Sequence, residues 1–128
     1  MSGRVDHNQA SMSDSQPFNV TDALGRLMNN KNLYKRLLDK FEKGYSDYGD
    51  KVKTAFDSGS FEDAVHLSHT MKGLAGNLGA DALQEASRNL ELVAKGGEKT
   101  PDLDQLLNEF GAELNRALQA VRDGVDMG

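Results

Sequence analysis

The sequence has no cysteine among its 128 residues. This absence excludes disulfide bonds, thiolate catalysis and cysteine-ligated zinc, and it agrees with a reducing compartment. No apolar run approaches the roughly 18 residues that a membrane-spanning helix requires, and no stretch resembles a secretory signal. We therefore expect a cytoplasmic protein that makes no direct membrane contact.

The chain also lacks an excess of basic residues. Its 15 Lys and Arg side chains are outnumbered by 20 Asp and Glu side chains, which gives a formal net charge of −5. Binding to nucleic acid depends on positive charge that neutralises backbone phosphates, so we expect no nucleic-acid partner. The remaining composition, 38% hydrophobic and 27% charged, is that of a soluble globular protein with a single core.

The first residues differ in composition from the rest of the chain. Residues 1–16 are rich in Ser, Asp, Asn and Gln and have little to bury, which predicts a flexible tail. Part of this tail could come from an expression vector, with Met12 as the native start. We predict one domain over residues 17–124, followed by a C-terminal tail at residues 125–128.

Apolar residues after Pro17 recur at the helical spacing of three and four, and no segment alternates as a strand does. Ser60, with Asp63 three residues later, resembles a capping box, and Thr100 is a predicted N-cap with Pro101 at the first helical position. Short connections between helices favour antiparallel neighbours. The sequence therefore predicts an all-α fold, an antiparallel up-and-down four-helix bundle with one or two short extra helices.

The helix predicted over residues 60–78 contains the candidate functional residues. Projection at 100° per residue places His69 off the apolar stripe, on a flank shared with Lys72, Gly73 and Gly76. A glycine inside a helix costs about 1 kcal/mol relative to alanine, so bare backbone here indicates that a partner, or a bulky group on the imidazole, comes close. A neutral imidazole is a competent nucleophile, and a lysine beside it would attract phosphoryl oxygens. The predicted core stripe of this helix is Phe61, Ala64, Val65, Ser68, Met71, Ala75 and Leu78.

Residues 69–80, in which the histidine is followed by Lys72-Gly73 and then by Leu78-Gly79-Ala80, resemble the signature of histidine-containing phosphotransfer (HPt) domains. The resemblance extends from about Phe18 to Val121. It implies a phosphorelay intermediate of two-component signal transduction, with His69 as the phosphorylated nucleophile and with no kinase activity or cofactor of its own. The implied partners are a response-regulator receiver domain, which would supply an aspartate and Mg²⁺, and an upstream (hybrid) sensor histidine kinase.

The same resemblance implies roles for other residues. In some relatives a polar side chain on the next helix hydrogen-bonds Nδ1 of the histidine, and Glu91 occupies that position here. A carboxylate there would fix the tautomer and leave Nε2 free to attack, although an ordinary surface acid is an equally open interpretation. Lys72 would give electrostatic support, and Gly73 and Gly76 would admit the docking partner. Alternatively, the two glycines could let bundle helices pack closely.

Two other functions compete with phosphotransfer. A metal-carboxylate bundle would use Glu62, His66 and His69, but such sites need Glu-x-x-His motifs on two helices. The third histidine, His7, lies in the predicted tail, so we expect no metal site. A non-catalytic helical adaptor would have the same core and is the alternative that the sequence leaves open.

Overall fold

The chain folds as a helical bundle. A computed structural model describes residues 16–127, and these residues form six α-helices and no β-strand. Four helices have 14 to 21 residues, and two shorter ones have 7 and 10. The helices are α1 (Val20–Arg26), α2 (Lys31–Gly44), α3 (Tyr48–Asp57), α4 (Phe61–Leu78), α5 (Asp81–Gly96) and α6 (Leu103–Asp123). The predicted fold class is confirmed, including the two short extra helices.

The predicted domain limits can be compared with the structure at both ends of the described residues. The predicted flexible tail lies outside the described residues except for Gln16, which is exposed. At the other end, residues 124–127 follow α6 without helical structure. Val125 and Met127 nevertheless pack against the hydrophobic core, so this stretch is attached to the bundle.

One stripe of every helix faces a single core. In α4 the stripe agrees with the helical projection, except that Phe61 and Val65 near its start are only partly buried. Burial of one large apolar side chain contributes roughly 1.5–3 kcal/mol, so packing rather than intrinsic helix propensity holds these short helices in place. The largest fully buried side chains include Tyr34, Phe41, Phe56, Met71, Leu90 and Phe110.

A tight turn at Gly79 and Ala80 joins α4 to α5. Gly79 adopts a left-handed conformation with φ of 78°, and the Ala80 amide donates to the Ala75 carbonyl at 2.8 Å, as in a Schellman motif. The buried Tyr34 hydroxyl donates to the Leu78 carbonyl at 2.8 Å, and the Asn19 amide donates to the Gly79 carbonyl at 2.7 Å. Burial raises the pKa of Tyr34 to about 12. These bonds fix where α5 starts and therefore which of its residues face α4.

Of the two predicted helix caps, Ser60 lies at the predicted position without its hydrogen bond, and Thr100 is not a cap. Ser60 precedes α4, but its side chain makes no capping bond and its hydroxyl instead contacts that of Ser58 at 3.2 Å. The last helix starts at Leu103, later than the sequence predicts, because Thr100 forms a turn with its side chain donating to Asp102 at 2.6 Å. The predicted start at Thr100 was therefore wrong, because Asp102 is the N-cap residue of α6, whereas Ser60 is the N-cap residue of α4 as predicted.

Candidate functional site

His69 lies in the middle of α4 and points away from the core. Its side chain is 67% exposed, whereas Ser68, Met71 and Ala75 of the same helix are buried. The predicted separation of the histidine from the apolar stripe is therefore present in the fold. An approaching molecule can reach the imidazole directly.

Glu91 of α5 holds the imidazole of His69. Its Oε2 lies 2.9 Å from Nδ1 of the ring, so the structure brings together the two residues that the resemblance had paired. An ionised carboxylate can only accept hydrogen bonds, which places the shared proton on Nδ1. The Nε2 atom then carries the free lone pair on the exposed side of the ring.

The carboxylate of Glu91 is buried because the side chains that bind it also cover it. Only 3% of its side chain is exposed, because Lys72 contacts Oε1 at 2.6 Å while His69 and Lys95 contact Oε2 at 2.9 and 3.4 Å. Burial by itself would raise the pKa of Glu91, but the hydrogen bonds from Lys72, His69 and Lys95 outweigh it and lower this pKa to about 2. Glu91 is therefore an ionised anchor at neutral pH and not an ordinary surface acid.

Lys95 is a member of the site that the sequence analysis missed. It lies one turn after Glu91 on α5 and is 58% exposed, whereas Lys72 is 29% exposed. Two lysines thus surround one carboxylate, and the cluster has one positive charge more than it has negative ones. The spacing of four residues from Glu91 was the available signal, but such pairs are common on solvated helix faces.

The two glycines near His69 lie in different surroundings. Gly73 is exposed, and a side chain built there would meet nothing within 4 Å. Gly76 is buried, and its Cβ would lie 2.5 Å from Nε2 of Gln84 on α5. Gly73 therefore leaves open surface beside His69, whereas Gly76 corresponds to the alternative of close packing between helices.

The remaining histidines lie apart from this cluster. His66 is exposed and has no hydrogen bond or ion pair with any residue in the described part of the chain, and His7 lies outside that part. Within residues 16–127, no group of three or more His, Asp or Glu side chains is arranged to hold a metal ion. The residues suggested for a metal bundle, Glu62 with His66 and His69, are thus not assembled as ligands.

Comparison with known proteins identifies the family. The sequence matches the Hpt domain family over residues 36–124, and the chain belongs to this family. The fold is similar to the crystal structure of the HPT domain of an Hpt sensor hybrid histidine kinase from Shewanella, with a TM-score of 0.74 at 20% identity. That match covers 84% of this chain and 92% of the Shewanella domain. No curated protein matches the sequence.

No helix within residues 16–127 is long and apolar enough to cross a membrane.

Family membership gives the chain a phosphotransfer role in two-component signalling. Hpt domains are phosphohistidine carriers that interact with response regulators and kinases. The class of protein predicted from the sequence is therefore confirmed.

We expect the Glu91→Gln variant to lose about 2 kcal/mol of unfolding free energy at neutral pH, because hydrogen bonds from two lysines to an ionised acceptor are weakened. The folded-state pKa of Glu91 is depressed, so its contribution is fully present above the unfolded-state value near 4.5. This contribution is lost as pH falls towards about 2. Urea unfolding of both proteins from pH 7 to pH 2 should show the stability difference shrinking below pH 4.5. A difference that stays constant with pH would contradict this assignment. Glu85→Gln, which removes an exposed carboxylate of α5, is the matched control.

We expect Lys72→Ala to slow phosphoryl transfer roughly tenfold without abolishing it. A lysine gives electrostatic help and makes no bond to phosphorus, and at an exposed site its effect should fall below that of an enclosed donor. Lys95→Ala should have a smaller effect, and the double variant should be slower than either single one. The control is Arg88→Ala, which removes a cation of α5 that pairs with Glu85 instead of Glu91. Transfer rates from a phosphorylated receiver domain test this, and equal slowing by the control would reject a specific role for the two lysines.

Proposed function

We propose that His69 is the phosphorylated residue of this phosphotransfer protein. The observation that supports this proposal is the exposed imidazole whose Nδ1 is bound by Glu91, since the opposite nitrogen is then unprotonated and accessible. The proposed donor and acceptor is the aspartate of a response-regulator receiver domain. An upstream hybrid sensor histidine kinase is the proposed origin of the phosphoryl group.

The proposed reaction needs one nucleophile from this chain. The Nε2 lone pair of His69 attacks phosphorus of the partner's aspartyl phosphate, an N–P bond forms, and the P–O bond breaks with its electron pair going to the aspartate oxygen. Reversal of these steps returns the phosphoryl group to a receiver. Mg²⁺ is expected on the receiver domain, and Lys72 and Lys95 would offset the negative charge of the phosphoryl group from this side.

Glu91 has a positioning role in this proposal. When phosphorus bonds to Nε2, electron density leaves the imidazole and the proton on Nδ1 becomes more acidic. A neighbouring carboxylate stabilises the resulting positive charge on the ring, much as second-layer carboxylates orient metal-binding histidines. Because Glu91 also contacts Lys72 and Lys95, it keeps both cations close to the place where the phosphoryl group would arrive.

Incubation with a radiolabelled, phosphorylated receiver domain tests the proposed function. We expect the intact chain to gain up to one phosphoryl group that is labile in acid and stable in alkali, as a phosphohistidine is. The chain alone with labelled ATP should gain none, because the proposed protein has no kinase activity. A helical adaptor without chemistry would bind partners but acquire no acid-labile label, and that outcome would reject the proposal.

We expect Gly73→Gln to impair transfer from a receiver domain by tenfold or more while leaving the fold intact. Glutamine is the better helix former, and the space around Gly73 is open, so the helix should not be destabilised. The added side chain would stand one turn from His69 and obstruct the partner. Gly111→Gln on α6, another helical glycine with open space, is the control. Unchanged transfer by a folded Gly73→Gln variant would contradict docking at this surface.

A further inference from the structure

The amide of Gln84 lies directly on the backbone of α4 at Gly76. A Cβ atom at Gly76 would be 2.5 Å from Nε2 and 3.2 Å from Cδ of Gln84, so a larger residue at position 76 would displace the flexible end of the Gln84 side chain. The contact buries Gly76, while Gln84 itself is half-buried. Glycine at this position is therefore what allows the amide to cross from α5 onto the surface of α4.

The Gln84 side chain gains little inside the protein from this position. Its backbone amide bonds to the Ala80 carbonyl at 2.9 Å, but its side-chain amide makes no hydrogen bond to any residue of the described part of the chain. Neither polar atom of this amide is fully buried, so water or a docking molecule can bond to it, whereas a glycine inside a helix costs free energy. Alanine at position 76 would avoid that cost, but its methyl group would displace the amide.

The Gln84 amide lies close enough to His69 to contact a partner that docks there. Gly76 follows His69 by seven residues on α4, and Gln84 precedes Glu91 by seven residues on α5. Seven residues are nearly two helical turns, so the second contact lies on the same face about 10.5 Å from the first. A typical protein interface covers about 800 Å² on each partner, equivalent to a disc of roughly 16 Å radius. A partner centred on His69 therefore covers Gln84.

We propose that Gln84 is a specificity-determining residue for the receiver domain that docks on His69. Its amide presents both a donor and an acceptor, which suit a peptide group or a polar side chain at the edge of the partner's surface. Gly76 remains bare so that the amide keeps this position. The inference rests on the proposed function and adds to it a contact that acts in recognition of the receiver and not in the chemical step.

The Gln84→Leu variant separates recognition from chemistry. Leucine has a similar size but cannot hydrogen-bond. With phosphoramidate, a donor too small to need docking, we expect His69 to be phosphorylated at the unmodified rate. With a phosphorylated receiver domain, we expect KM to rise about fivefold to tenfold and kcat to stay unchanged, as for one lost interface hydrogen bond. Gly76→Ala should raise KM as well, because its methyl group displaces the amide.

Gln119→Leu is the matched control, since it makes the same change on an exposed position of α6. Circular dichroism verifies the fold of each variant. An unchanged KM for Gln84→Leu, or equal losses with both phosphodonors, would overturn the inference while leaving the proposed function in place. Failure of the unmodified protein to accept phosphate from either donor would instead overturn the proposed function, and this inference with it.

Discussion

We expect the His69→Gln variant to accept no phosphoryl group from a phosphorylated receiver domain, a loss of at least a thousandfold in the rate of acceptance. Removal of a covalent nucleophile leaves no atom to form the N–P bond. The fold should survive, because the His69 side chain is 67% exposed and substitutions at such positions usually change stability by less than about 0.5 kcal/mol. Label incorporation and circular dichroism on the same sample measure both effects.

His66→Gln is the control for this experiment. His66 is an exposed histidine of the same helix, three residues before His69 and therefore about 60° away around the helix axis. It lacks the carboxylate partner that holds the imidazole of His69. We expect His66→Gln to retain most of the acceptance, and His7→Gln to retain all of it. Stoichiometric labelling of His69→Gln would show that another residue is the acceptor.

Gly79→Ala should cause the largest loss of stability among Gly→Ala substitutions within residues 16–127, about 3 kcal/mol of unfolding free energy. The left-handed φ of 78° costs a non-glycine residue roughly 1–2 kcal/mol. The new Cβ would also lie 2.5 Å from the Asn19 carbonyl oxygen, which belongs to the backbone and cannot rotate away. The same oxygen accepts from the Ala23 amide at 3.1 Å, so its displacement disturbs the start of α1. Urea unfolding measures the loss.

Gly97→Ala separates conformational strain from the steric contact. Gly97 has a similar φ of 71° at the end of α5, but a Cβ there would meet nothing within 4 Å. We expect it to lose only the roughly 1–2 kcal/mol of left-handed strain. Equal losses for the two variants would show that the close approach of the Asn19 carbonyl oxygen adds no steric penalty at Gly79.

The helical pattern was sufficient to predict the architecture. The spacing of apolar residues predicted a bundle of four main helices with one or two short ones, because each helix must bury one stripe against the others. The projection of α4 correctly separated the exposed His69 from the buried Met71 and Ala75. The start of α6 was predicted less well than that of α4, since a cap depends on which local hydrogen bond its hydroxyl makes. Thr100 donates to the side chain of Asp102 instead of capping the helix.

Only the site residues that belong to the family signature could be predicted from the sequence. The resemblance placed Glu91 beside the histidine, and the 2.9 Å contact between their side chains agrees with it. Lys95 was missed because its spacing of four residues from Glu91 is common on solvated helix faces, and only the register between α4 and α5 brings it near His69. That register is fixed by the turn at Gly79 and by the bond from Tyr34 to the Leu78 carbonyl. No periodicity within either helix contains this information.

The phosphorylated atom itself gives the most direct test of the central claim. We would phosphorylate the intact, ¹⁵N-labelled protein and detect coupling between phosphorus and the imidazole nitrogens by NMR. Because Glu91 binds Nδ1, the account predicts one phosphoryl group, bonded to Nε2 of His69, with Nδ1 still protonated. Phosphorus bonded to Nδ1 of His69, to His66, or to no histidine at all would contradict it.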